Sequence, residues 1–115
     1  MTMPRTVVTP IQIRFSDVDM FGHVNNASQQ MYFDLGKTDF MRQVLSLSGP
    51  FGGLSLVTVA TTNNFFRQIR YTDDIEVHTS VRKTGDKSVT LFQSMVDRRD
   101  GATVSDSLTV MAVFD

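Results

Sequence analysis

One helix-period segment stands alone among runs of strand-like alternation, and that contrast narrows the fold more than any other feature. From about Ala27 to Leu47, apolar residues recur four apart: Met31 with Leu35, Phe40 with Val44, Met41 with Leu45. Such spacing sets each pair on one side of a helix. The rest of the chain alternates every second residue. Residues 6–15 end in IQIRF, and Ile75, Val77, Thr79 and Val81 interleave with Glu76, His78, Ser80 and Arg82. Strands with one dry and one wet face read this way. Residues 54–70, rich in Val, Thr and Phe, form another strand segment. Gly85 with Asp86 and Asp100 with Gly101 are turn signals, setting off strands over 88–98 and 103–114. The last run, Leu108 to Phe114, is apolar at nearly every position, as expected of a central strand covered on both faces. The order is strand, long helix, then four antiparallel strands. It predicts an α+β layer in which the sheet curls around the helix, with the other sheet face left to solvent or a partner.

Length and composition bound what this layer can do. A chain of 115 residues makes one domain, 1–115, with a modest core that oligomerisation often supplements. Apolar residues are 41%, charged residues 20% and the net charge −1, ordinary values for a soluble domain. No basic block is present, so neither nucleic acid nor a membrane surface is expected as a partner. With no cysteine, disulfides, thiol nucleophiles and thiolate metal sites are excluded, which suits a reducing compartment. The opening MTMPRTVVTP lacks the apolar core of a signal peptide, and no stretch approaches ~18 apolar residues. The expected location is cytoplasmic. The breakers at 48–53, SGPFGG, end the helix. Gly36 inside it costs ~1 kcal/mol in propensity and so marks a close approach to another backbone.

Chemistry concentrates between the first strand and the helix, where residues 17–26 read DVDMFGHVNN. Asp17 and Asp19 are two apart. In an extended chain they point the same way, and neighbouring like charges raise one pKa. Gly22 permits a turn that a side chain would block. Asn25 and Asn26 precede the helix, where short polar side chains cap exposed N–H groups. The amides left free, aided by the helix dipole, form a ready anion or oxyanion site. A carboxylate beside a helix N-terminus is the minimal apparatus for attack on a polarised carbonyl. The same residue types also build any strand-to-helix turn.

Elsewhere the chain offers less. His23 and His78 lack metal-ligand spacing, so no metal is expected. His78 falls on the wet face of its strand. Residues 49–53 lack the Lys-Ser/Thr of a phosphate loop. Ser16 and Ser28 have no evident His-Asp relay.

Residues 14–26, RFSDVDMFGHVNN, resemble the signature of hotdog-fold acyl-CoA thioesterases of the hydroxybenzoyl-CoA thioesterase-like family. Tyr32, Phe33, Asp34 and Lys37 are similar to the aromatic-acidic segment that follows it and its basic residue. Residues 69–77 resemble the family's entry to its third strand, and 86–89 its next hairpin. The resemblance implies a five-stranded antiparallel sheet wrapped around one long helix, in a homodimer or homotetramer joined by sheet edges. It implies hydrolysis of an acyl-CoA, with no cofactor beyond the coenzyme A carried by the substrate. It places the catalytic carboxylate on Asp19, as nucleophile or general base, and leaves Asp17 a structural role. The carbonyl-polarising amide falls on Asn26, and His23 shapes the turn. Gly22 and Asn25 frame the substrate, while Lys87 and Ser88 fall where the family's hairpin meets coenzyme A phosphates.

Two departures matter. Gln29 stands where the family usually has Tyr, putting an amide into an aromatic pocket wall. No arginine cluster precedes Lys87, so coenzyme A contacts would fall to Arg67, Arg70, Arg82 or Lys83. Two other readings keep the fold: a non-catalytic acyl-thioester or acyl-carrier binding module, and a dehydratase with His23 as base.

Overall fold

The computed structural model describes residues 5–44 and 55–114. In chain order it holds β1 (Val7–Pro10), a 3-10 turn (Phe15–Asp17), α1 (Asn26–Val44), β2 (Ser55–Phe65), β3 (Ile75–Thr84), β4 (Ser88–Asp97) and β5 (Thr103–Phe114). The strands form one sheet in the order β1-β3-β4-β5-β2. Every neighbouring pair is antiparallel. The five-stranded sheet around one long helix is the architecture the sequence implied. The breakers at 48–53 lie outside the described residues, as do Leu45 and Leu47.

Helix α1 packs on β1, β3 and β4. Its buried stripe runs through Gln29, Tyr32, Phe33, Gly36, Phe40 and Met41. Phe33, Ile69, Val77 and Met95 are wholly buried around the first half of the helix. Phe40 and Met41 meet Val7, Leu91 and Met111 around the second half. A fully buried side chain of this size contributes roughly 1.5–3 kcal/mol, so these two clusters hold helix to sheet. The pair that signals the helix first, Met31 with Leu35, faces outward at 56% and 51% exposure. Periodicity found the element, but the inward stripe carries a Gln and a Gly that no hydropathy pattern reports.

Gly36 does mark a close approach, though to side chains rather than backbone. A Cβ there would lie 2.7 Å from Val77 Cγ1 and 3.1 Å from Gln93 Nε2. The helix therefore rides directly on β3 and β4 at this point.

Three expectations are corrected. The strand expected over 54–70 ends at Phe65, and 66–70 leave the ladder. Strand β1 stops at Pro10, short of the alternating residues 11–15, because proline has no N–H with which to continue a ladder. Ile11 still donates its N–H to Ile75 O at 3.0 Å, and Ile11 and Ile13 pack on the core as a loop. The central strand is β4, and β5 is not covered on both faces. Leu108 and Phe114 are 38% and 53% exposed, while Ser105, Ser107 and Thr109 are buried. The apolar run of β5 is largely an outer face that a single chain leaves open.

Candidate active site

Residues 17–26 fold as a hub followed by a tight loop and a helix cap. Asp17 closes the 3-10 turn and is buried. Its carboxylate accepts hydrogen bonds from Tyr32 Oη at 2.5 Å, Ser28 Oγ at 3.2 Å and Arg14 N at 3.0 Å. The Arg14 guanidinium adds an ion pair at 3.1 Å. Burial pushes this carboxyl up, but the bonds from Tyr32 and Arg14 together with the Arg14 charge outweigh it and hold its pKa at about 2. Burial and the bond to Asp17 raise the Tyr32 hydroxyl above its usual range.

Asp17 and Asp19 accordingly do not point the same way, and no mutual repulsion raises Asp17. The two-residue rule holds for extended chain, whereas this segment leaves a 3-10 turn, bridges Val18 to Val24 and turns back. Asp19 lands in the exposed loop. Its N–H donates to His23 O at 2.9 Å, and its Oδ1 accepts from Phe21 N at 2.9 Å and His23 N at 3.2 Å. Gly22 sits at φ +82°, a left-handed conformation that side chains disfavour. One carboxylate oxygen is thus fixed by the loop, and Oδ2 bonds no protein group among the described residues.

From the loop the chain bridges His23 to Arg70, and Val24 N donates to Ile69 O at 2.7 Å. Asn25 then caps α1, its Oδ1 accepting from Ser28 N at 2.7 Å. Gln29 N takes the first helical bond, to Asn25 O at 3.1 Å. Among the described residues the amides of Asn26 and Ala27 have no protein acceptor, as expected at a helix start, where the first N–H groups have no intrahelical partner.

Asp19, His23, Asn25, Asn26 and Gln29 line one cleft of about 490 Å³. Val24, Phe65, Phe66, Arg67 and Gln68 complete it. Gly22 lies in the turn beside it without lining it. Lys87 and Ser88 line a different cavity with Thr84 and Phe114, so one chain does not bring them to Asp19. His78 is half-exposed and bonded to Glu76 at 2.6 Å.

The far wall, 65–68, rests on a charge lattice that nothing in the sequence signalled. Phe66 N and Arg67 N both donate to Val104 O. Arg67 pairs with buried Asp97 at 3.0 Å and with Asp100 at 2.9 Å, and Arg99 pairs with Asp97 at 2.9 Å and also with Asp73. The Arg99 hydrogen bond, aided by Arg67 and opposed by burial, holds the Asp97 pKa at about 2. The resemblance left Asp17 a structural role, but its distant partners Ser28 and Tyr32 were not legible in the sequence.

Residues 13–115 match the family described as the thioesterase-like superfamily. The chain belongs to that superfamily. Among solved structures, this thioesterase-like chain is similar to a candidate acyl-CoA thioesterase from Xanthomonas campestris. The two share 30% identity over 92% of this chain and 90% of that one, at a TM-score of 0.82. It shares its fold with a thioesterase from Thermus thermophilus solved with coenzyme A and zinc. That match has 22% identity over 94% of this chain and 83% of the other, with a TM-score of 0.82. A curated relative, the uncharacterized protein YsmA of Bacillus subtilis strain 168, is 26% identical over 82 residues, 70% of this chain. The match spans about half of that relative's length, 54%. No helix among the described residues is long and apolar enough to cross a membrane.

Proposed function

We propose that this chain hydrolyses the thioester of an acyl-coenzyme A, releasing a carboxylic acid and free coenzyme A. The observation that carries the reading is the division of labour in the cleft. Asp19 offers Oδ2 while Oδ1 is fixed by two loop amides, and the unpaired amides of Asn26 and Ala27 lie at the start of α1. A thioester carbonyl held on those amides would have its developing negative charge met by N–H groups and the helix dipole. Oδ2 would then attack the carbonyl carbon, or take a proton from a water that does. Thiolate departs and is protonated; in the first route water then hydrolyses the acyl–Asp19 anhydride, releasing the acid and restoring the carboxylate. His23 and Asn25 serve the geometry, one through the loop and the other through the cap.

The test is hydrolysis of a panel of acyl-CoAs by wild type and Asp19→Asn. We expect a loss of at least 100-fold in kcat/KM with the fold intact. Unchanged activity in the variant would remove Asp19 from the chemistry. In a single turnover in 18O-water, label found in Asp19 identifies it as the nucleophile, since the general-base route puts label only in the released acid. Wild type that binds thioesters without releasing thiol would indicate the binding module instead.

The cleft is proposed to be completed by a second copy. Among the described residues strand β2 is an edge, paired only to β5, and Val57 and Val59 on it are 47% and 59% exposed. Beside the cleft, Met20 and Phe21 are 91% and 76% exposed. Pairing two β2 edges would cover this surface. A partner's hairpin would also be the source of Lys87 and Ser88 for coenzyme A.

A further inference from the structure

We infer that Gln29 selects acyl groups carrying a hydrogen-bond acceptor beyond the thioester carbonyl. The inference rests on the thioesterase reading of the cleft and names the substrate chemistry of that site. Gln29 is 3% exposed yet lines the cleft. Its carboxamide is held in one orientation, because Oε1 accepts a hydrogen bond from buried Ser105 Oγ at 2.9 Å. That leaves Nε2 with two N–H groups and no acceptor among the described residues. Nε2 is not sealed off either: among the described residues the buried side-chain atom without a partner is Gln93 Oε1, whose amide bonds Phe33 O and Thr79. A fixed donor that lines a cleft and has no protein acceptor is met there by water, and a ligand that displaces that water must supply an acceptor in its place or leave the N–H unpaired.

The thioester carbonyl is not short of donors, since Asn26 and Ala27 already supply two amides at the helix start. Gln29 stands three residues further along, about 4.5 Å of helix rise, tied to β5 in the layer between helix and sheet. With the thioester carbonyl placed on the helix-start amides as proposed, this is the acyl side of the cleft. Beside it, Phe65, Phe66 and Val24 provide the apolar surface. An acyl group with an oxo, hydroxy or carboxyl oxygen uses both. A plain alkyl group strands the amide, and sites built around a polar partner discriminate strongly against analogues that lack it.

The experiment compares matched pairs at two sizes: acetoacetyl-CoA with butyryl-CoA, and 4-hydroxybenzoyl-CoA with benzoyl-CoA. For each, kcat/KM is measured with wild type, Gln29→Leu and Ser105→Ala, and the calorimetric Kd with the same three side-chain sets carrying Asp19→Asn so that the thioester survives the titration. In at least one pair we expect wild type to favour the oxygenated member about ten-fold or more in Kd. Gln29→Leu should bring that preference to within two-fold, and Ser105→Ala, which frees the amide to turn, should reduce it partway. Equal wild-type affinity within both pairs overturns the inference. So does a Gln29→Leu variant that slows every substrate equally, for the amide would then serve the carbonyl. If Gln29→Leu does not fold, the Ser105→Ala ratio decides. Selective binding without hydrolysis would sink the thioesterase reading and leave this inference standing.

Discussion

Tyr32 Oη donates a 2.5 Å hydrogen bond to Asp17 Oδ2, tying the second turn of α1 to the loop that presents Asp19. Both partners are buried, at 4% and 2% exposure, so neither can fall back on water. Tyr32→Phe should cost about 1–3 kcal/mol, the usual penalty for orphaning a buried group. Asp17→Asn should cost at least as much, because Arg14 loses its ion pair as well. Asp19→Asn keeps the Oδ1 acceptor and should stay within ~0.5 kcal/mol of wild type. Urea unfolding of the three variants checks the ranking. A hub that stabilises nothing would show equal midpoints.

Acid should unfold this protein through two carboxylates. Asp17 and Asp97 both sit at about 2, below the ordinary 3.8. Each has a folded pKa below its unfolded one, so its stabilisation is complete above pH 3.8 and fades as pH falls toward 2. Thermal melts between pH 5 and pH 2 should steepen in that window. Asp97→Asn should flatten the decline while lowering stability at neutral pH.

At Gly36 two effects oppose each other, and distance decides between them. Alanine gains ~1 kcal/mol of helix propensity. Its Cβ would lie 2.7 Å from Val77 Cγ1, and overpacking of this kind typically costs 1–3 kcal/mol. The expected outcome is a net loss of roughly 1 kcal/mol. Adding Val77→Ala should produce favourable coupling in a double-mutant cycle.

Asn25→Ala removes the cap on Ser28 N and should cost about 1 kcal/mol, whereas Asn25→Asp should retain most of it. Chemical denaturation reads both. Comparable losses in the two would assign the effect to something other than the cap.

Along the open edge of β2, Val59 sits at a bulge between Thr58 and Ala60. Val59→Lys places a charge there, a device that blocks edge pairing. Light scattering should show a shift toward monomer, with activity falling alongside. A variant that keeps the wild-type mass would clear this edge of any role in assembly.

The elements themselves were readable from the chain. Period-2 runs, turn pairs and one stretch of i, i+4 spacing are local properties, and β3, α1, β4 and β5 appear close to where those signals put them. The loop was legible too, because Asp, Gly and Asn at short spacing carry their own backbone preferences. What sequence could not supply was direction. Asp17 and Asp19 are one residue type two positions apart, and their spacing alone does not separate them. One is buried against Ser28 and Tyr32, eleven and fifteen residues away, and the other is left in the open. The face of α1 turned inward was likewise settled by fit, since Gly36 is where β3 comes closest. The fixed amide of Gln29 depends on Ser105, 76 residues away. Local propensity names the elements of this protein, and only long-range packing decides which carboxylate is buried, which is free and which donor waits in the cleft.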